Sequence, residues 1–243
     1  MKLKTPSFYL TIATLSLTSA LSAQNQQSDS AFIDIAIRSA INVYHQKMQN
    51  SAGLYNGSEY DEYNFNFQEG SPYFGFKDSV SGSIIYDGVL YENIFMKFDE
   101  LRDLLVIWYN NDAVQLLNEK IDGFNIQNHS FIRIQKFDPK EMLTPGFYEQ
   151  LYKGKTAVLK KTVKTLQQRT DITEGILRFI VQKNYYYVRT PNGYVQVSGK
   201  NDIGKALKNH SKEKEDFINS RKLDFKQNPE GFLVDVAAYY DTL

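Results

Sequence analysis

The chain contains no cysteine. That excludes disulfides, thiolate nucleophiles, lipid attachment through an N-terminal cysteine and every cysteine-based zinc site. Histidine is nearly as scarce. His45, His129 and His210 stand far apart, none with a partner at metal-ligand spacing, which argues against an imidazole-held metal. No Gly-x-Ser-x-Gly segment occurs, so a serine hydrolase of the α/β type is not expected. No cofactor is expected either. Beyond residue 23 no apolar run approaches the roughly 20 residues of a membrane-spanning helix, so no transmembrane segment is expected in the mature chain.

Acids are also missing before Asp29, and that gap has a pattern. Lys2 and Lys4 are followed by an uncharged, mostly apolar stretch, Phe8 to Leu21. Small residues then lead into a polar run through Ser19-Ala20-Leu21-Ser22-Ala23 and Gln24-Asn25-Gln26-Gln27. Positive end, apolar centre and small-residue exit predict a signal peptide over residues 1–23, cut after Ala23. Residues 24–243 are then expected to form a single globular domain, exported to the periplasm or secreted. With 42% apolar and 23% charged residues the composition is globular, and without disulfides the core alone must hold it. Losing Lys2 and Lys4 takes the formal charge from zero to −2. Residues 24–135 carry 15 acids and 7 bases, while 136–243 carry 13 acids and 19 bases. The basic residues are scattered among predicted elements, which favours two halves neutralising each other over a basic docking face.

Periodicity sets the fold class. Ile33, Ile37, Ile41, Tyr44 and Met48 predict an amphipathic helix over 31–49. From Tyr63 the period changes to two: Tyr63, Phe65 and Phe67 alternate with asparagine as in a half-buried strand. Asp87-Gly88 between Ile84–Tyr86 and Val89–Phe98 is a hairpin signal, with Leu90, Ile94, Met96 and Phe98 expected on one face. Leu104–Tyr109 reads as a central strand with Trp108 in the core. Shorter strands are predicted at Ala113–Leu117, Ile121–Ile126, Phe131–Ile134, Phe147–Tyr152, Thr156–Thr165, Ile176–Gln182, Tyr185–Arg189 and Tyr194–Val197. The run Tyr185-Tyr186-Tyr187 must put rings on both faces of its strand, so at least one ring is expected to be exposed or to meet a second layer such as a C-terminal helix. Helices are predicted at Asp202–Asn209, at Ser211–Lys222 and from Asn228-Pro229-Glu230 onward, the last with an apolar stripe from Phe232 to Tyr240. The class is α+β: a long curved antiparallel β-meander sheet with an N-terminal helix and two or three C-terminal helices.

Leu54-Tyr55-Asn56-Gly57-Ser58-Glu59-Tyr60, Gly82-Ser83-Ile84-Ile85-Tyr86-Asp87-Gly88 with Tyr91 and Asn93, and Gly146-Phe147-Tyr148 through Leu151-Tyr152-Lys153-Gly154 carry a rhythm of turns and aromatics. In it the chain resembles an uncharacterised family of bacterial secreted proteins with no assigned activity. The resemblance implies export and a β-meander and carries no chemistry.

Two motifs invite chemistry. Gly199-Lys200-Asn201-Asp202-Ile203-Gly204-Lys205 has P-loop spacing, but Ala206 stands where magnesium needs a hydroxyl, so a helix start with glycine hinges is the better reading. Ser211-Lys212-Glu213-Lys214 matches Ser-x-x-Lys, yet among so many charges its lysine is expected on a solvated helix face. Glu59, Asp61 and Glu62 lie beside Tyr55, Tyr60, Tyr63 and Tyr73, the combination a carboxylate-dependent glycosidase uses. The sequence supports first a non-catalytic envelope protein that binds an unidentified ligand or protein partner, not nucleic acid, with Tyr55, Tyr60, Tyr63 and Tyr73 as its ligand-binding residues. The other reading is an exported, glycosidase-like hydrolase using those acids.

Overall fold

The computed structural model describes residues 53–75, 78–137, 139 and 143–243. The expected signal peptide, the helix over 31–49 and His45 lie outside these. The described residues fall within one unit, Tyr44–Leu243, built on an antiparallel sheet of eleven strands. Its strands are β1 (Ser58–Glu59), β2 (Val80–Tyr86), β3 (Val89–Asp99), β4 (Leu104–Tyr109), β5 (Asp112–Gln115), β6 (Ile121–Ile126), β7 (His129–Ile134), β8 (Gly146–Tyr152), β9 (Val158–Asp171), β10 (Gly175–Thr190) and β11 (Gly193–Val197). Three helices follow: α1 (Lys200–Ala206), α2 (Ser211–Ser220) and α3 (Pro229–Tyr240).

The turn chemistry of the β2–β3 hairpin is as expected. Asp87 and Gly88 both take positive φ, 51° and 73°, the backbone of a two-residue turn that matches strand twist. The facing of β3 differs from expectation. Asn93 (φ 58°) is an extra residue against the Gly82/Ser83 junction and reverses the parity of the strand. Tyr91, Ile94, Met96 and Phe98 therefore join the first core, and Leu90 does not.

The strand order is β1-β5-β4-β3-β2-β6-β7-β8-β9-β10-β11, so the sheet is not one uninterrupted meander. β5 lies between β1 and β4, whereas β6 pairs with β2. The connecting segment crosses strand ends, tied by Leu116 N–H to the Leu105 carbonyl and by Asp87 N–H to the Lys120 carbonyl. Two predicted strands fuse into β10, because β9 pairs without a break from Val158↔Val188 to Asp171↔Gly175. Asn184, the expected break, takes a hydrogen bond from the Thr162 hydroxyl at 3.2 Å instead.

The sheet curls. β3 and β8 are four strand spacings apart in the order, about 19 Å in a flat sheet. Yet the rings of Phe98 on β3 and Phe147 on β8 have centroids 5.4 Å apart. Phe124 and Phe131 fill the space between, stacked at 4.7 Å and each 5.3 Å from Phe98. Ile84, Met96, Leu105, Ile107, Ile121 and Ile126 complete this core.

A second core sits where the helices cover the sheet. The Asn228 side chain caps α3 by accepting from Gly231 N–H at 3.0 Å. Phe232, Leu233, Val236 and Ala237 are buried against Val158, Tyr186, Val188 and Val197. Tyr186 faces these helices, while Tyr185 and Tyr187 belong to a third cluster with Leu143, Tyr148 and Leu159. The helices thus give the Tyr186 face a second layer, whereas the Tyr185 and Tyr187 face packs against neighbouring strands of the same sheet and Leu143.

Phe124→Ala is expected to lower stability by about 3–5 kcal/mol, because it opens a cavity among three rings. Phe95→Ala, on a side chain 57% exposed in β3, should cost less than about 0.5 kcal/mol. Urea denaturation followed by tyrosine fluorescence measures both.

Candidate functional site

The curl brings the end of β3 against the segment 60–74, and Asp99 is the meeting point. Its carboxylate is fully buried and accepts four hydrogen bonds. Oδ1 takes the backbone N–H groups of Leu101 and Arg102, each at 3.0 Å, which turns the chain tightly after the strand. Oδ2 takes the hydroxyls of Tyr60 and Tyr63, each at 2.8 Å. Arg102 Nε lies 4.0 Å from the same oxygen, and its guanidinium donates to the Asp61 carbonyl. Tyr73 joins through a bridge pairing with Asp99 and through the Tyr60 hydroxyl, 3.4 Å from its own.

Three of the four predicted tyrosines therefore converge. Tyr55 makes a different contact, stacked on Tyr109 at 4.1 Å. Tyr60, only 4% exposed, is a strut whose ring offers no open face. Burial pushes its phenol far above the ordinary range, helped by the Tyr73 hydrogen bond and the Asp99 charge. Tyr63 is raised too, by burial first and then by the bond to Asp99.

Tyr63–Phe67 forms no strand, contrary to the period-two reading, because it has no ladder partner there. The alternation survives without the ladder: Tyr63, Phe65 and Phe67 are half-buried, and Asn64 and Asn66 are exposed. The three rings pack edge to face at 5.2–5.7 Å, with Tyr73 at 6.2 Å from Tyr63. Residues 68–70 tie the segment to the open edge of β10, through Gln68 N–H to the Arg178 carbonyl and Ile180 N–H to the Glu69 carbonyl.

A cation lies over three of these four rings. Arg102 stands 4.1 Å from the Tyr63 centroid, Arg178 4.2 Å from Phe65, and Lys97 Nζ 4.3 Å from Tyr73. Such contacts are worth about 0.5–1 kcal/mol at exposed positions. Lys97 also reaches Trp108, which is half-buried rather than a core residue. The result is a strip of half-exposed rings carrying three positive groups. Sequence reasoning missed those groups because they come from β3, the turn after it and β10.

Lys164 links Tyr73 to a series of charged pairs, of which Glu100, Glu149 and Lys164 are buried. Lys164 Nζ contacts Glu100 Oε2 at 2.8 Å and the Tyr73 carbonyl at 2.6 Å. Burial raises the Glu100 carboxyl above its usual range against the opposing pull of Lys164. Glu149 accepts from Lys160 at 3.0 Å and pairs with His129, and Lys160 reaches Glu230 at the start of α3 at 2.8 Å. Asp103 meets Arg133 at 3.3 Å and Lys161 at 3.6 Å.

The other candidates stand as follows. Glu59, Asp61 and Glu62 are exposed, and their carboxylates make no hydrogen bond or ion pair among the described residues. In the P-loop-like segment, Asp202 Oδ2 accepts from Ser198 N–H at 3.0 Å and from its hydroxyl at 2.7 Å, so an anion already occupies the start of α1. Lys214 is not on a solvated face: it is 4% exposed. Among the described residues no group of three or more His, Asp or Glu side chains converges as metal ligands. No family model, curated protein or solved structure matches the chain.

Tyr60→Phe is expected to cost about 2 kcal/mol at neutral pH, the worth of a hydrogen bond to a buried charged group. In the unfolded chain Tyr60 ionises near pH 10, whereas in the folded protein its phenol stays protonated. The contribution of the hydroxyl is therefore complete below about pH 10 and declines as pH rises above it. Denaturation curves at pH 7 and pH 11 should show the gap between wild type and Tyr60→Phe shrinking. A gap that widens at pH 11 contradicts the strut.

Proposed function

We propose that this is an exported, non-catalytic binding protein whose recognition surface is the strip Tyr63, Phe65, Phe67 and Tyr73 with its stacked cations, and whose ligand is an anionic envelope glycan. The observation that carries the proposal is the state of the ring faces. With Arg102, Arg178 and Lys97 over them, the rings serve less as open stacking platforms than as rigid supports that hold positive groups at half-exposed positions. Arg102 is shared with Asp99, whereas Arg178 and Lys97 make no ion pair among the described residues, so these two can attract carboxylate- or sulfate-bearing chains, with apolar ring edges for the chains to lie against.

The state of the carboxylates supports a non-catalytic role. Acid–base hydrolysis needs one carboxyl free to give a proton and another free to attack or to take one. Asp99, Glu100 and Glu149 are buried, and each is engaged by a cation. The acids next to the tyrosines, Glu59, Asp61 and Glu62, stand in solvent. The residue 1–23 pattern and the resemblance to bacterial secreted proteins support export.

Dextran sulfate and uncharged dextran share a backbone and separate charge from sugar recognition. The protein should bind dextran sulfate, lose the binding as salt rises towards 1 M, and ignore dextran. Arg178→Gln should weaken binding about fivefold, the size of one partly exposed charge pair, with little effect on the Asp99 network. Equal binding to both polymers, or an Arg178→Gln protein that binds dextran sulfate as wild type does, rules the surface out.

A further inference from the structure

β9 and β10 run on together past the end of their neighbours. β8 pairs with β9 only from Val158 to Lys160, so from Lys161 to Asp171 one edge of β9 has no strand beside it among the described residues. The unbroken register with β10 fixes which backbone groups face that edge. Arg189 N–H donates to the Ala157 carbonyl, so odd-numbered residues of β9 bond to β10 and even-numbered ones turn outward. Leu166, Gln168 and Thr170 thus present their N–H and C=O groups away from β10, and none of these groups is bonded among the described residues. Lys164, the even residue before them, is covered by Glu100 and Tyr73. Thr165 and Gln167 through Thr170 are exposed, and Leu166 is half-buried.

An open strand edge pairs readily with another chain, and proteins ordinarily protect one with a proline, a bulge or an outward lysine. From Leu166 to Thr170 there is no proline, no glycine and no register shift. The nearby cations do not guard it either. Lys164 is turned to Glu100, and Arg169 stands over the Phe179 ring at 5.7 Å. Apolar side chains beside the edge are left in water: Ile176, opposite Thr170, is 53% exposed, and Ile172 in the turn is fully exposed.

We infer that β9 is a dimer edge, pairing antiparallel with β9 of a second copy of this chain about a two-fold axis at Gln168. Gln168 then lies opposite its own counterpart, Leu166 opposite the partner's Thr170, and Thr165 opposite the partner's Asp171. No like charges are opposed, whereas an axis at Lys164 would set that lysine against itself. Ile180 lies opposite Leu166 within the chain, and Ile176 opposite Thr170. The pairing therefore lines up Ile180, Leu166, the partner's Thr170 and the partner's Ile176 on one face, covering apolar surface that a single chain exposes. Directly opposed residues share a face, so Arg178 of both copies lies on the same side of the joined sheet, each with its own aromatic strip. The dimer does not depend on the glycan reading; where that reading holds, one polymer can engage both strips and gain avidity.

Analytical ultracentrifugation of the protein expressed from its full-length sequence should show a monomer–dimer equilibrium. One strand pairing is small beside the roughly 1,200 Å² of stable complexes, so a dissociation constant of about 10–100 µM is expected. Gln168→Pro removes an outward N–H and no bond to β10, so it should melt near the wild-type temperature and weaken dimerisation at least about tenfold. Across the pair the two Gln168 Cα atoms lie about 5.5 Å apart, within disulfide reach. The chain has no cysteine of its own, so Gln168→Cys should give a covalent dimer on mild oxidation, and Lys212→Cys, exposed on α2, should not. These cysteine variants decide the question if the proline variant fails to fold. Wild type that stays monomeric at millimolar concentration overturns the proposal. So does a folded Gln168→Pro protein that dimerises as wild type does, or Gln168→Cys cross-linking no faster than Lys212→Cys. A monomer that still binds dextran sulfate refutes the dimer and leaves the strip standing.

Discussion

The contact between Phe98 and Phe147 sets the geometry of everything else, because it can form only if the sheet between them bends. A sheet with one greasy face must cover that face, and here five strands from β3 to β8 cover it with each other. The bend also decides where the polar residues at the end of β3 fall. Asp99, Glu100 and Asp103 follow one another at that strand end, and each ties a different partner. Asp99 gathers the tyrosine hydroxyls, Glu100 takes Lys164 from β9, and Asp103 takes Arg133 and Lys161. A five-residue corner thereby fastens the early part of the chain to the late part.

That corner shows how a chain without cysteine is fastened across its length. The cross-links include hydrogen bonds to Asp99 and ion pairs, and two of the ion pairs, Glu100–Lys164 and Asp103–Lys161, join the acid-rich half of the sequence to the base-rich half. Each is a buried or half-buried pair whose loss leaves a charge with no partner, a heavier penalty than the net value of the pair itself. The uneven charge distribution along the sequence is thus spent, in part, on internal fastening.

The elements were legible wherever the signal was local. Asp87-Gly88 gave its hairpin, Leu104–Tyr109 its interior strand, Ile121–Ile126 its strand to the residue, and Asn228-Pro229 the start of α3. Readings failed where the deciding partner was distant. The Asn93 bulge depends on β2, the fusion of β10 depends on β9, and the β5-to-β6 crossing has no mark in either strand. Of the site, the clustering of Tyr60, Tyr63 and Tyr73 was visible as local composition. Asp99 and the three stacked cations were not, since the residues that meet there come from segments brought together only by the curl. Lys214 was misread because a helix crowded with lysines and glutamates gives no hint of which one is turned inward.

The same fastening has a temporal side. Lys164 meets the carbonyl of Tyr73 across 91 positions of sequence, and Tyr152 meets Asp241 across 89. The first cannot form before residue 164 is present and the second before residue 241, and topologies dominated by such contacts fold slowly, on the order of milliseconds to seconds. A chain delivered from its N-terminus would expose the apolar side chains of β2 and β3, Phe98 among them, before β8 arrives with Phe147 to cover them. The feature that makes the finished sheet self-sufficient also makes the half-emerged one sticky.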